Sequence, residues 1–240
     1  MNLVYIFFKR VYFYLELIKQ TLIKKNYKIF YSQFGEDRII NELLKKNKKG
    51  FYVDVGCYHP KKYSNTFILY RNRKWRGINI DIEEEKISIF KILRPLDINI
   101  CCPVSSVKKY VKIIKFGNFH IGSYATPIKN IKKTKKNKLL ESFQSTKSLN
   151  EIISSTKYKN KEIDLLNIDV EGSDFDVLKS INLKKYKPKI IIIESHLSDI
   201  SKILSSNIYK HLIKFNYKLR SWSFFSLIFV KKKSNLLKQI

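Results

Sequence analysis

The stretch Phe51-Tyr-Val-Asp-Val-Gly-Cys-Tyr-His-Pro60 decides how the chain is read: a β-branched and aromatic run, an acid near its end, and a glycine that turns the backbone. Related runs follow at Gly77-Ile-Asn-Ile-Asp-Ile82, Asp97-Ile-Asn-Ile100, Ile163-Asp-Leu-Leu-Asn-Ile-Asp-Val170 and Lys189-Ile-Ile-Ile-Ile-Glu194, separated by helical stretches. Short strands alternating with helices imply an α/β domain with parallel strands and crossover helices. Ile190 to Ile193 is apolar on both faces and belongs in the middle of a covered sheet. Only Phe224-Phe225-Ser226 separates Tyr217–Ser223 from Leu227–Lys231, too little for a helix, so these last segments predict an antiparallel hairpin.

The chain has 240 residues, 44% apolar, enough for one large core. Lys plus Arg outnumber Asp plus Glu by 48 to 20, giving a net charge of +28. Such an excess suits a nucleic-acid or anionic-membrane binder. The basic residues are 41 Lys and only 7 Arg, however, beside 35 Ile and a single Ala, Ala125. Residues with AT-rich codons dominate, so mutational drift accounts for the charge without an anionic partner. A nucleic-acid site would also draw on Arg, whose planar fork reads phosphate and guanine edges. Cys57, Cys101 and Cys102 form neither a C-x-x-C pair nor an even framework, which points to a reducing, cytoplasmic setting without structural zinc.

Residues 1–30 read as an amphipathic helical extension and 31–240 as the main domain, with a variable insert at about 105–148. In the extension Leu3, Val4, Phe7, Val11, Leu15, Ile18 and Leu22 share one helical face through about Lys25, opposite Asn2, Lys9, Glu16, Lys19 and Gln20. That helix fits two uses: peripheral contact with a membrane interface through residues 1–25, or packing on the domain or on a second subunit. No stretch approaches the roughly 18 uncharged residues of a membrane span, and no signal-peptide pattern follows Met1-Asn2. Within the insert, Lys108 to Phe116 reads as a strand, Gly117 to Thr126 as a lid-like or surface loop and Ile131 to Lys138 as a charged, mobile segment. Ser148 is expected to cap a helix over Leu149 to Ser155, with Glu151 as its partner.

In an open α/β sheet the ligand lies beyond the carboxyl ends of the strands, next to the first strand. Asp54 and Gly56 fall there, and Asp81 ends the second run about 27 residues on, placed to bind ribose hydroxyls. A pyrophosphate site would need G-x-G-x-x-G, and Gly56 stands alone, which argues against a nicotinamide dinucleotide. Asp169 and Glu171 point to the same side at the end of the fourth run, before Gly172. Two like charges held close raise one pKa, a usual route to a general base. His196 and His59 are further base candidates, with His120 behind them. No metal-ligand spacing is evident, although a divalent ion on Asp169 and Glu171 stays open.

Tyr31-Ser-Gln-Phe-Gly-Glu-Asp37, Phe51–Gly56, Ser64-Asn-Thr66, Trp75-Arg-Gly-Ile-Asn-Ile-Asp81, Arg94-Pro-Leu-Asp-Ile-Asn99, Ile168-Asp-Val-Glu-Gly172 and Pro188–Glu194 form an ordered set. That set, from about Tyr31 to Val230, resembles the FkbM-type S-adenosylmethionine (SAM) dependent methyltransferases. The resemblance implies a class I, Rossmann-like fold: a mostly parallel seven-stranded sheet with a C-terminal antiparallel hairpin and helices on both faces. It also implies SAM as cofactor and O-methylation of a hydroxyl on a small molecule or glycan. Carried onto this sequence, Asp54, Gly56 and Cys57 would line the methionine end of SAM and Asp81 would hold the ribose. Asp97 and Ile98 would flank the adenine, Gln33 and Glu36 would close over the cofactor, and Asp169 and Glu171 would face the acceptor. Tyr58-His59-Pro60 stands where many such enzymes carry a second glycine, and the insert carries no pattern that names an acceptor. Two alternatives are an RNA 2′-O-methyltransferase and a non-catalytic binding module. The first would need a Lys-Asp-Lys-Glu tetrad, but Glu194-Ser-His196 stands where one lysine belongs, so nucleic acid is not the expected partner.

Overall fold

The computed structural model describes residues 4, 7–8, 11–15, 19, 30–44, 49–116, 121–127 and 138–232, with backbone alone for 114–116, 121–127 and 138–142. Along the chain, α1 (Glu36–Leu43) precedes β1 (Phe51–Val55), α2 (Phe67–Arg73), β2 (Arg76–Asp81), α3 (Glu84–Leu93) and β3 (Ile98–Cys101). The insert follows with β4 (Tyr110–Phe116), β5 (Ile121–Pro127) and β6 (Lys138–Ser145). The chain continues through α4 (Leu149–Ser154), β7 (Leu165–Ile168), α5 (Asp174–Lys179), α6 (Leu183–Tyr186) and β8 (Ile190–Glu194). It closes with α7 (Ile200–Ser205), α8 (Asn207–Lys214), β9 (Tyr217–Ser223) and β10 (Ser226–Lys231).

Seven strands form one sheet in the order β3-β2-β1-β7-β8-β10-β9. The first five are parallel, and β10 runs antiparallel between β8 and β9. The hairpin expected at the end of the chain is therefore present, turning at Phe224 and Phe225. Alternate residues supply two cores. Phe51, Val53, Val55, Ile191, Ile193 and Phe229 pack on one face with side chains of α4, α5 and α8. Tyr52, Ile190, Ile192, Ile228 and Val230 pack on the other with Ile40 of α1 and Leu69 of α2. Both faces are thus covered, which is why Ile190 to Ile193 are all buried. Burying each of these side chains contributes about 1.5–3 kcal/mol.

The insert departs from expectation. Residues 121–126, read as part of a loop, belong to strand β5 (Ile121–Pro127) on one edge of β4, and β6 pairs with the other edge. Gly122 and Ser123 gave that stretch a loop-like composition, but β4 offers it a ladder of backbone partners that sequence alone does not display. Residues 117–120 and 131–137, and with them His120, lie outside the described residues. The small sheet is tied to the domain at its base: Val104 bridges Lys147, and Ser105 Oγ donates to Asp176 of α5 at 2.7 Å. Ser148 then caps α4 in a complete capping box with Glu151.

Residues Met1–Phe30 and Tyr31–Ile240 form two compact units. In the first, the described positions 4, 7–8, 11–15 and 19 are helical, and Phe7, Phe8, Tyr12, Phe13 and Tyr14 are exposed. The expected continuation to Lys25 lies outside the described residues. Among the described residues no helix is long and apolar enough to cross a membrane. All three cysteines are free.

Candidate active site

From β1 the chain passes to β2 and β3 on one side, then returns through the insert to β7 on the other. Such a reversal leaves a crevice at the carboxyl end of β1. Gly56 makes the turn there at φ 76°, and a Cβ on it would lie 1.6 Å from the Asp169 carbonyl oxygen. Only glycine permits this approach. The Gly56 and Cys57 N–H groups both donate to the Ile80 carbonyl, fixing the loop to β2.

A cavity of about 790 Å³ opens over this point. Asp54 to Cys57 form its floor, Ile80 to Ile82 and Lys86 one wall, and Asn167 with Asp169 to Gly172 another. The base of the insert contributes Lys109, Val111 and Thr146, and Gln33, Tyr63 and Asn65 also line it. Asp81, at the end of β2, accepts from the Tyr58 N–H through Oδ2 and the Glu83 N–H through Oδ1, each at 3.1 Å. Each oxygen keeps a further lone pair for a ligand hydroxyl. Burial raises the Asp81 pKa, and the Lys86 charge is the largest opposing influence.

Asp54 is held differently. Its Oδ2 accepts from Thr66 Oγ1 at 2.7 Å and its Oδ1 from Asn167 Nδ2 at 2.9 Å. Burial raises its pKa, while the Thr66 hydrogen bond and the Arg94 charge oppose that shift. Arg94 is wholly buried and donates to Thr66 Oγ1, Ser64 Oγ and the Pro60 carbonyl. This guanidinium holds both the first loop and the counter-charge to Asp54. Cys57 also lines the cavity, and burial raises its thiol pKa well above the ordinary value.

Asp169 follows β7, and its carboxyl is hydrogen-bonded to Glu194, the last residue of β8. Burial pushes Asp169 up to about 8, with the charges of Glu194, Asp174 and Glu171 acting the same way. Glu194 is pushed up to about 7, again mainly by burial. Glu194 Oε2 is buried without a hydrogen-bond partner among the described residues if both acids are ionised. One proton shared by the pair supplies the missing donor, as expected for two carboxyls that cannot both ionise cheaply. Glu171 lies beside them, exposed, in a left-handed conformation at φ 52°. Glu171, Glu194 and His196 also bring one ligand atom each within 4.8 Å of one another, a mixed oxygen and nitrogen set of the kind that holds divalent ions.

The structure brings Gln33, Asp54, Gly56, Cys57, Asp81, Asp169 and Glu171 to one cavity. It does not bring Asp97 and Ile98, expected at the adenine, to that cavity. They lie at the amino end of β3, where Asp97 accepts from the Tyr52 hydroxyl, the Gly77 N–H at 2.9 Å and Asn79 Nδ2 at 3.1 Å. Four residues of extended chain, roughly 13 Å, separate Asp97 from the carboxyl end of the strand. Cys102, Pro103 and Val104, just past that end, line the cavity instead. Glu36 is buried, accepting from the Phe34 N–H and Ser226 Oγ. It braces the loop that carries Gln33 and does not line the cavity. His196 is half-exposed, 3.4 Å from Glu194, and outside the cavity lining. His59 Nδ1 accepts from the Lys61 and Lys62 N–H groups and shapes a turn.

Sequence reasoning gave no role to Glu194, Asn65, Asn167 or Arg94. Glu194 could have been found by the rule that located Asp81, since it too is an acid ending a parallel strand. Asn65 and Asn167 are joined only in the fold.

The sheet order and the carboxyl-end cavity define a Rossmann-like domain of the methyltransferase class. Residues 54–219, more than half of the chain, match the family described as Methyltransferase FkbM domain, and the chain belongs to that family. Among solved structures, the methyltransferase FkbM from Methylobacillus flagellatus KT is similar in fold, with a TM-score of 0.50 and 13% identity over 76% of this chain. The present chain spans 44% of that protein's length. A TehB-like SAM-dependent methyltransferase from Corynebacterium glutamicum ATCC 13032 Kitasato aligns at a TM-score of 0.41 and 11% identity, covering 93% of this chain and 97% of its own. No curated protein sequence matches the chain.

Proposed function

We propose that the protein is a SAM-dependent O-methyltransferase acting on a hydroxyl of a small molecule or glycan. The observation that carries this reading is the Asp81 carboxylate, held by two backbone N–H groups at the cavity edge of β2. Such a group suits a ribose diol, and a cavity lined by Asp81, Asp169 and Glu171 suits a cationic ligand. The buried acceptor Asn65 Oδ1, which has no partner among the described residues, fits a ligand rich in donors. When bound, SAM supplies the methyl group to be transferred.

Asp81 would accept the ribose hydroxyls, and Ile82, Cys102 and Val104 would enclose the flat base. The ionised member of the Asp169–Glu194 pair would take the proton from the acceptor hydroxyl. Burial pushes both members up towards neutrality, which suits that task. Positioning of the acceptor falls to Gln33, Tyr63 and the insert base. Calorimetric titration with SAM tests the reading: the unaltered chain should bind and Asp81→Ala should bind at least 10-fold more weakly. Absence of SAM binding by the unaltered chain, or indifference to Asp81→Ala, would sink it. Transfer of label from SAM to candidate glycans, and not to RNA, would then separate the acceptor classes.

A further inference from the structure

Asn65 is only 9% exposed and lines the cavity, yet its Oδ1 has no hydrogen-bond partner among the described residues. The orientation of its amide follows from a chain of polar groups. Arg94 can only donate, and its Nη1 donates to Thr66 Oγ1 at 2.8 Å. Thr66 must therefore turn its proton outward, and it donates to Asp54 Oδ2 at 2.7 Å. An ionised Asp54 can only accept, so Asn167 must present Nδ2 to Asp54 Oδ1, as it does at 2.9 Å. Asn167 Oδ1 then faces Asn65, whose Nδ2 donates to it at 2.9 Å. Asn65 has no choice left: its oxygen is the group turned to other partners. A buried acceptor without a donor is costly, and a ligand donor would relieve that cost.

We propose that Asn65 Oδ1 is the acceptor for the ammonium group of the SAM methionine moiety, its direction fixed by the series Arg94, Thr66, Asp54 and Asn167. The inference rests on the SAM reading above. Three features favour the ammonium over the other donors of such a ligand. Asp81, across the floor on β2, already offers two carboxylate oxygens to the ribose. Asn65 is linked instead to β1 and β7, through Asp54 and Asn167, on the side of the cavity where Asp169 stands. A cationic donor also gains from the buried Asp54 charge two hydrogen bonds behind the amide. Asp54 itself, with both oxygens engaged inside the protein, then acts as a positioning residue and not as the direct partner of the methionine end.

The test compares two ligands by calorimetry: S-adenosylhomocysteine, which carries the ammonium, and 5′-methylthioadenosine, which keeps the nucleoside but lacks the amino-acid portion. In Asn65→Leu the affinity for S-adenosylhomocysteine should fall roughly 10- to 100-fold, while that for methylthioadenosine should stay within about 2-fold. An equal fall for both ligands would overturn the assignment, because it would place Asn65 at the nucleoside or in folding alone. If the unaltered chain binds neither ligand, the SAM reading itself fails and takes this inference with it. Should Asn65→Leu not fold, the unaltered protein decides through the des-amino analogue of S-adenosylhomocysteine. Weakening of roughly 10-fold or more supports the ammonium contact, and equal affinity refutes it.

Discussion

Two acidic regions lie about one cavity and are built in opposite ways. Around Asp54, both carboxylate oxygens are engaged, and a buried arginine stands one hydroxyl away. Around Asp169, three further acids (Glu171, Asp174 and Glu194) all raise its pKa, with no cation among the principal influences. The first region, with both carboxylate oxygens engaged and an arginine close by, can fix neighbouring groups in space. In the second, burial and like charges push the carboxyls up towards neutrality, the setting that suits a proton-transferring group. Under the proposed reading, fixing geometry and moving a proton fall to different acids, although both lie at the ends of central parallel strands.

The largest effect expected from breaking this contrast is at Asp169. Asp169→Asn should lower kcat by roughly 10²- to 10⁴-fold at saturating SAM, as single-turnover measurements would show. Under the proposed reading the unaltered protein should lose activity as pH falls below about 7, where Glu194 also takes up a proton and neither member of the pair remains ionised. Because Asp169 is raised from 3.8 to about 8, the folded state binds more protons than the unfolded state between those values. Stability should accordingly fall as pH rises across that window, and Asp169→Asn should flatten the slope in denaturant melts. A rate unaffected by the substitution would move the base elsewhere.

Next in size is Arg94→Met, which strips Asp54 of its counter-charge and should cost about 3–5 kcal/mol in urea unfolding. A loss below about 1 kcal/mol would mean that Asp54 is neutral and that the contrast between the regions is weaker than described. Smallest is Asp97→Asn. Its acceptors serve Tyr52, Gly77 and Asn79, away from the cavity, so stability should drop by about 1–3 kcal/mol while SAM affinity holds. Weaker SAM binding without loss of stability would return Asp97 to the site.

The sheet was readable because strands buried on both faces leave unbroken apolar runs, and Ile190 to Ile193 is the clearest of them. Asp54, Gly56, Asp81 and Asp169 were readable for a related reason: each ends or follows a strand, and the carboxyl edge of a parallel sheet is where ligands bind. Asp97, by that same rule, lies at the far edge, since it precedes the first residue of β3. Strand β5 was missed because its residues become a strand only against the edge of β4.

By itself the sequence determined the α/β class, the closing hairpin and the place of Asp54, Asp81 and Asp169 at the crevice, all of which depend on local periodicity and chain order. Only the tertiary structure decided what each group does there. It paired Asp169 with Glu194 across neighbouring strands and joined Asn65 to Asn167, residues 102 positions apart. A side chain's charge state and the direction of its hydrogen bonds depend on burial and on partners distant in sequence, and neither exists until the chain has folded.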